Sequence, residues 1–105
     1  MNRAWLEAQS ALYVAVAGVS AGSYDISHVL EGDTVQLVAE PDNAHDPNAI
    51  QVLAADGSML GYIPASYAAV MDAPDWSGRV AAVLTHPETG APAGLRLDLM
   101  RKVSA

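Results

Sequence analysis

Apolar positions in this chain fall in short runs, most of them alternating with polar ones, and the alternation has the period of strands rather than helices. A short polar-leading helix is predicted over Asn2 to Ser10, followed by a first buried strand from Leu12 to Val19. Thr34 to Ala39 sets Val35, Leu37 and Ala39 on one face and Thr34, Gln36 and Val38 on the other. Ala49 to Ala54 carries Ile50, Val52 and Ala54 inward. Asp56-Gly57 is a tight-turn dipeptide, and the apolar stretch Met59 to Ile63 behind it completes a hairpin signature. Pro64 suits the first helical position of a short helix, Ala65 to Met71, that buries Ala68 with Val70 or Met71. Arg79 to Thr85 is a further strand, and Pro87, Gly90, Pro92 and Gly94 mark a long turn. Leu95, Leu97 and Leu99 then alternate with Arg96, Asp98 and Met100 in a strand with one wet face.

About six short strands and one or two short helices predict a mainly β fold, a small, strongly curved β-barrel. The strands follow one another without regular crossover helices, which disfavours a doubly wound sheet. The 105 residues accommodate one domain, expected over residues 11–105 behind an N-terminal helical extension, residues 1–10. With 51% apolar and 16% charged residues, the chain can bury enough surface to fold. There is no cysteine, which excludes a disulfide scaffold, thiolate zinc and thiol catalysis.

Twelve carboxylates face only Arg3, Arg79, Arg96, Arg101 and Lys102, for a formal net charge of -7. Proteins that track nucleic acid by neutralising many phosphates usually carry the opposite sign. Any nucleic-acid role must then be local, through one pocket. The acidic balance equally disfavours adhesion to anionic membranes. The apolar run Ala11 to Val19, with Ser20, Ala21 and Gly22 after it, superficially matches a secretory leader. Glu7 and Gln9 interrupt its approach, only Arg3 precedes it, and it is far shorter than the roughly 20 residues of a spanning helix. The expectation is a cytoplasmic protein.

The densest polar segment is Glu40-Pro41-Asp42-Asn43-Ala44-His45-Asp46-Pro47-Asn48, between two predicted strands. Its simplest reading is structural: Asn and Asp cap their own backbone, Pro fixes φ, and Asn48 caps ahead of the next strand. A second reading is an oxygen-rich cation site from Asp42, Asp46 and Asn48. Pro47 stands where a calcium loop needs glycine, however, and no bidentate glutamate follows at the right distance. His28, His45 and His86 lack ligand-type spacing for zinc. No serine sits in a nucleophile elbow, and no glycine-rich phosphate loop precedes a helix. The residues point to no enzyme, no metal and no cofactor.

Taken in order, Gly18-Val19-Ser20, Gly32-Asp33-x-Val35-x-Leu37, the loop Glu40 to Ile50 with Val52, Asp56-Gly57 and Leu60-Gly61-Tyr62-Ile63-Pro64 resemble a HIRAN domain from about Tyr13 to Leu99. The resemblance implies an OB-type or SH3-like barrel of about six strands. HIRAN modules occur fused to helicase- and nuclease-type repair enzymes, and also as standalone bacterial or phage proteins, the type expected here. The best-understood fused members bind single-stranded DNA at its 3′-hydroxyl end. By resemblance, Asp46 receives the terminal hydroxyl, since a carboxylate accepts a hydrogen bond from a hydroxyl but repels a terminal phosphate. His45 stands where many relatives carry a stacking tyrosine, and Asn43 and Asp42 line the same pocket.

Some features depart from that pattern. DNA-binding relatives carry a cation and an aromatic on the first strand, where Tyr13-Val14-Ala15-Val16-Ala17 offers only Tyr13, and Gln51 replaces a basic residue beyond the loop. Tyr62 either flanks the pocket or packs on the core with its hydroxyl bonded locally. Gly61 reads as a bulge or close backbone approach, Trp76 as a lid over the barrel end, and Trp5 as an anchor for the N-terminal helix or a mark of self-association. Two functions from different classes follow. One is a non-catalytic module that captures DNA 3′ ends for a separately encoded helicase- or nuclease-type partner. The other is a protein-interaction or regulatory module that keeps the barrel with little DNA affinity.

Overall fold

The computed structural model describes residues 1–19 and 24–102. In chain order the elements are α1 (Arg3–Glu7), β1 (Ala11–Ala15), β2 (Thr34–Ala39), β3 (Ile50–Ala54), β4 (Met59–Tyr62), α2 (Ala65–Ala68), a 3-10 turn (Ala73–Asp75), β5 (Trp76–Thr85) and β6 (Pro92–Arg101). The six strands form one sheet in the order β1-β6-β5-β2-β3-β4, with every neighbouring pair antiparallel. Leu95, Leu97 and Leu99 of β6 are fully buried, as are Val52 of β3 and Leu60 of β4. Burying one such side chain contributes about 2 kcal/mol, so this inner face is what curls the sheet around itself.

Curling brings the two outer strands together. Beyond β1, the Ala17 N–H donates to the Tyr62 carbonyl at 2.7 Å, and the Tyr62 N–H donates to the Ala17 carbonyl at 3.0 Å. The sequence predicts a small, strongly curved β-barrel of about six strands, and the result is a six-stranded, curled half-barrel with few short helices. Gly61 makes the closure possible. Its φ is +147°, and a Cβ there would lie 2.5 Å from the Ala17 carbonyl oxygen and 2.6 Å from Val16 Cγ1. The register of β3 against β4 also shifts just beyond the Val52–Gly61 pair, between Val52 and Leu53. The expected close approach is therefore present, with a bulge beside it.

Several expected boundaries move, each for a physical reason. The N-terminal helix has five residues, because Asn2 caps it by accepting the Trp5 N–H at 2.8 Å and the chain turns after Glu7. Trp5 does not anchor that helix, since it is 44% exposed, whereas Leu6 is buried. Further ties are Arg101, which donates to the carbonyls of Leu6 and Gln9 at 2.8 and 3.0 Å, and Arg3, which donates to Asp72 at 3.1 Å. The first strand ends at Ala15, not Val19, because Ala17 exchanges β6 for β4 and Gly18 turns the chain at φ +91°. Ser20, Ala21 and Gly22, which mimic a cleavage site, lie outside the described residues. Pro64 is the residue before α2 rather than its first residue, and α2 is a single turn. β5 and β6 are each ten residues long and recruit Trp76, Ser77 and Gly78 at one end and Pro92 and Gly94 at the other. Trp76 is buried in the core at the start of β5, with the Arg101 guanidinium 4.5 Å above its ring. No helix among the described residues is long and apolar enough to cross a membrane.

Gly61→Ala is expected to destabilise the protein by about 2 kcal/mol more than Gly57→Ala, measured by urea unfolding. Both glycines have positive φ, but a Cβ on Gly57 meets nothing within 4 Å. Equal losses would show that the closure tolerates a side chain.

Candidate nucleic-acid interface

The polar loop between β2 and β3 is ordered by its own side chains. The Glu40 N–H donates to the Ala49 carbonyl at 2.8 Å, so the loop begins and ends on one ladder rung. Asn43 Oδ1 accepts the N–H groups of His45 at 2.9 Å and Asp46 at 3.0 Å. Asp46 Oδ1 then accepts the Asn48 N–H at 2.9 Å, and the Asp46 carbonyl accepts the Ala49 N–H at 3.1 Å. Short polar side chains bonding the backbone two or three residues on are what let this segment dispense with a regular element. The capping role expected of Asn48 belongs to Asp46, and Asn48 supplies only its N–H.

Glu40 holds this loop to the sheet. Its Oε1 accepts Asn43 Nδ2 at 2.6 Å and the Tyr62 hydroxyl at 3.2 Å, while Oε2 accepts Gln51 Nε2. One carboxylate thus joins the loop, β3 and β4, and Gln51 and Tyr62 are themselves a cross-strand pair. The phenol of Tyr62 is held above its ordinary pKa, first by burial, then by its hydrogen bond to Glu40 and that group's charge. Glu40 was not singled out in the sequence. The available signal was its place just beyond β2, two residues after Val38, which pairs with Gln51, itself the cross-strand partner of Tyr62.

Around this network lies an open cavity of about 430 Å³, lined by Ala17, Tyr24, Asn43, His45, Asp46, Ala49, Tyr62, Ile63 and Ala65. Asn43, His45, Asp46 and Tyr62 are therefore brought together, and Tyr24 joins them without having been foreseen. Tyr24 sits against the turn at Gly18, where a Cβ would lie 3.3 Å from its ring. Asp42 is exposed and does not line the cavity. Tyr13 lies on the outer face of β1, 60% exposed and opposite Asp98, likewise outside the cavity lining. Tyr62 does both things the sequence allowed, flanking the cavity with its ring and bonding its hydroxyl locally.

Asp46 is half-buried, and its Oδ1 is committed to the loop. Among the described residues its Oδ2 has no partner, and the ion pair present is Arg3–Asp72 at 3.1 Å. Among the described residues no lysine or arginine lines the cavity. Arg101 is tied into the N-terminal turn, and Arg79 lies on the outer face beside Thr34 and Asp98. The site is a concavity with aromatic walls, one oriented carboxylate oxygen and little positive charge, suited to a neutral hydrogen-bond donor attached to a flat ring.

Residues 9–87 match the HIRAN domain model. The chain belongs to the HIRAN domain family. Its fold agrees: the HIRAN domain of human HLTF, solved as a crystal structure, superposes with a TM-score of 0.59 at 23% identity. That match covers 89% of this chain and 77% of the other. A crystal structure of a protein from Lactobacillus plantarum superposes with a TM-score of 0.62 at 27% identity, over 88% of this chain and 95% of that one. No curated protein matches the sequence. HIRAN domains are DNA-binding modules of OB-like fold and not catalytic ones, so the cavity in this HIRAN domain is treated as a binding site.

Glu40→Gln is expected to bring the Tyr62 phenol part of the way back toward the ordinary tyrosine value, since burial persists while the charge is lost. A near-ultraviolet pH titration, with Tyr62→Phe to assign the transition, reads this. In the wild type the folded phenol keeps its proton where the unfolded one, near pH ~10, loses it. Tyr62 therefore contributes stability that is present below that pH and lost as pH rises through the folded value. An unchanged titration in Glu40→Gln would contradict the assigned hydrogen bond.

Proposed function

We propose that this HIRAN domain binds the 3′-hydroxyl end of single-stranded DNA, with Asp46 accepting the hydrogen bond of the terminal hydroxyl. The observation that carries this reading is the division of labour within one carboxylate. Oδ1 is anchored by the Asn48 N–H, and Oδ2, unpartnered among the described residues, belongs to a side chain lining the cavity. A sugar hydroxyl donates to such an oxygen. A 3′-phosphate brings close to two negative charges and no strong donor, so the same oxygen rejects it.

His45, Tyr24 and Tyr62, which line the cavity together, supply ring surfaces for the last base, and stacking on such a platform contributes about 1–3 kcal/mol per base. Asn43 acts as a positioning residue, because its amide is spent on His45, Asp46 and Glu40. Asp42 and Tyr13 stand off the cavity and can only meet DNA beyond the terminal nucleotide. The absence of a cation from the cavity lining makes the grip on phosphate weak, so the module is a reader of ends and not of backbone. In this role it carries no chemistry itself and directs a separately encoded helicase- or nuclease-type enzyme to free 3′ ends. The same absence favours a second reading, a protein-interaction module with little DNA affinity.

Titration of labelled single strands ending in a 3′-hydroxyl or a 3′-phosphate separates the two. The hydroxyl end is expected to bind more tightly. Asp46→Asn keeps an oxygen for the Asn48 N–H but removes the charge, and is expected to reduce the preference about tenfold or more. Equal or absent binding of both strands would leave only the interaction module.

Salt dependence gives a second check. With ~2 phosphates neutralised, the log–log slope of affinity against salt is expected near about −1.4 for single strands. A slope several times steeper would require a basic groove and contradict a local pocket.

A further inference from the structure

The free side of β1 is an open hydrogen-bonding edge. Ser10 accepts the Arg101 N–H at 2.8 Å and Val16 donates to the Leu95 carbonyl at 3.0 Å, on the same register that pairs Ala11 with Met100. In an antiparallel ladder, successive residues turn their N–H and C=O to opposite sides. The even-numbered residues Leu12 and Val14 therefore face β6, and Ala11, Tyr13 and Ala15 face away from it. Ala17, the next residue in that outward series, is the one that pairs with Tyr62 of β4.

β4 covers no more of this edge. Two residues after Tyr62 the chain reaches Pro64, which has no N–H to offer, and then turns into α2. At the other end, Gln9 is already used: its N–H goes to the Leu6 carbonyl and its carbonyl accepts from Arg101. Between these stops, the N–H and C=O groups of Ala11, Tyr13 and Ala15 have no partner among the described residues, and all three residues are exposed. The strand carries none of the usual protections of an edge, neither charge nor proline nor bulge.

We propose that this edge pairs with the same edge of a second copy, β1 against β1 in antiparallel order about a two-fold axis at Tyr13. This goes beyond the reading of the cavity and does not depend on it. In that register Tyr13 faces Tyr13 of the second copy, Ala11 faces Ala15, and Ala15 faces Ala11. Each opposed pair exchanges both of its backbone bonds, so every open group of both edges is satisfied. Self-complementarity of this kind is the requirement of a two-fold interface, and the open stretch has the odd number of outward residues, three, that places one of them on the axis. The five-residue strand brings no charged side chain to its twin, which matters in a chain of net charge -7. Apolar surface gathers in the same part of the fold. Tyr13 is 60% exposed and Met100, opposite Ala11 on β6, is 53% exposed, while Met1 and Trp5 are exposed in the segment leading into β1.

Sedimentation velocity over a concentration series, paired with amide hydrogen exchange on the wild type, tests this. A monomer–dimer equilibrium is expected. The Ala11, Tyr13 and Ala15 amides should slow with concentration, while those of Leu12 and Val14 stay protected throughout. Ala15→Pro removes an outward N–H but no β1–β6 bond, and should weaken association about tenfold or more. Ala11→Lys, which changes no backbone donor, should act in the same direction through charge at the shared edge. A chain that stays monomeric to about 1 mM overturns the proposal. So does a dimer whose three outward amides exchange equally fast at all concentrations, or protection that arises only when an unrelated extended peptide is added.

Discussion

The two edges of the sheet meet at Tyr62, and the rest of the molecule depends on that crossing. Its backbone exchanges both hydrogen bonds with Ala17, and its hydroxyl donates to Glu40. Closure of the fold and placement of the polar loop are therefore one constraint. A glycine must precede it, because no Cβ fits between β4 and the Ala17 carbonyl. The neighbouring residue then carries an aromatic ring into the cavity. Fold closure and site geometry share two adjacent positions, so a change that loosens one loosens the other.

The loop shows how an acidic protein can hold a carboxylate ready without a cation beside it. Glu40 is satisfied by neutral donors from Asn43, Gln51 and Tyr62. Asp46 is oriented by a backbone N–H. Hydrogen bonds to neutral donors fix a carboxylate in place while leaving its charge uncompensated, whereas a salt link would have spent it. In the proposed reading, that remaining charge is what would distinguish a hydroxyl from a phosphate. It also limits how strongly the site can hold a polyanion, which is why the proposal places DNA at a single end rather than along a groove.

The open edge of β1 follows from the same closure. Because β4 turns away at Pro64, it meets the chain at Ala17, just beyond β1, and among the described residues three outward residues of β1 stay open. Half-barrels that close by a single bridge keep part of an edge, and unpaired edges are the places where strands are added. The cavity lining and the open edge meet at that bridge, Ala17 belonging to the first and following directly on the second.

Much of this was legible from the residues alone. Strict alternation in β6 and β3 reported one dry face and one wet face, and the structure buries Leu95, Leu97, Leu99, Ile50, Val52 and Ala54 as that alternation requires. Asp56-Gly57 marked a hairpin and Gly61 a close approach, because few residues tolerate those backbone conformations. The family, too, was written in the loop and the Gly-Tyr-Ile-Pro turn. Alternation cannot say where a strand changes partner, so the end of β1 at Ala15 was missed. Nor can it place an aromatic: Trp5 read as an anchor or a mark of self-association and Tyr13 as a site residue, and helix phase and sheet face turn both outward. Glu40, Gln51, Tyr62 and Tyr24 are far apart in sequence, and only pairing of the strands makes them neighbours. Local preference fixes which residues can be strand, turn or core; which side chains share a cavity, and which backbone groups stay unpaired, is set by long-range hydrogen bonding that exists only once the sheet has closed.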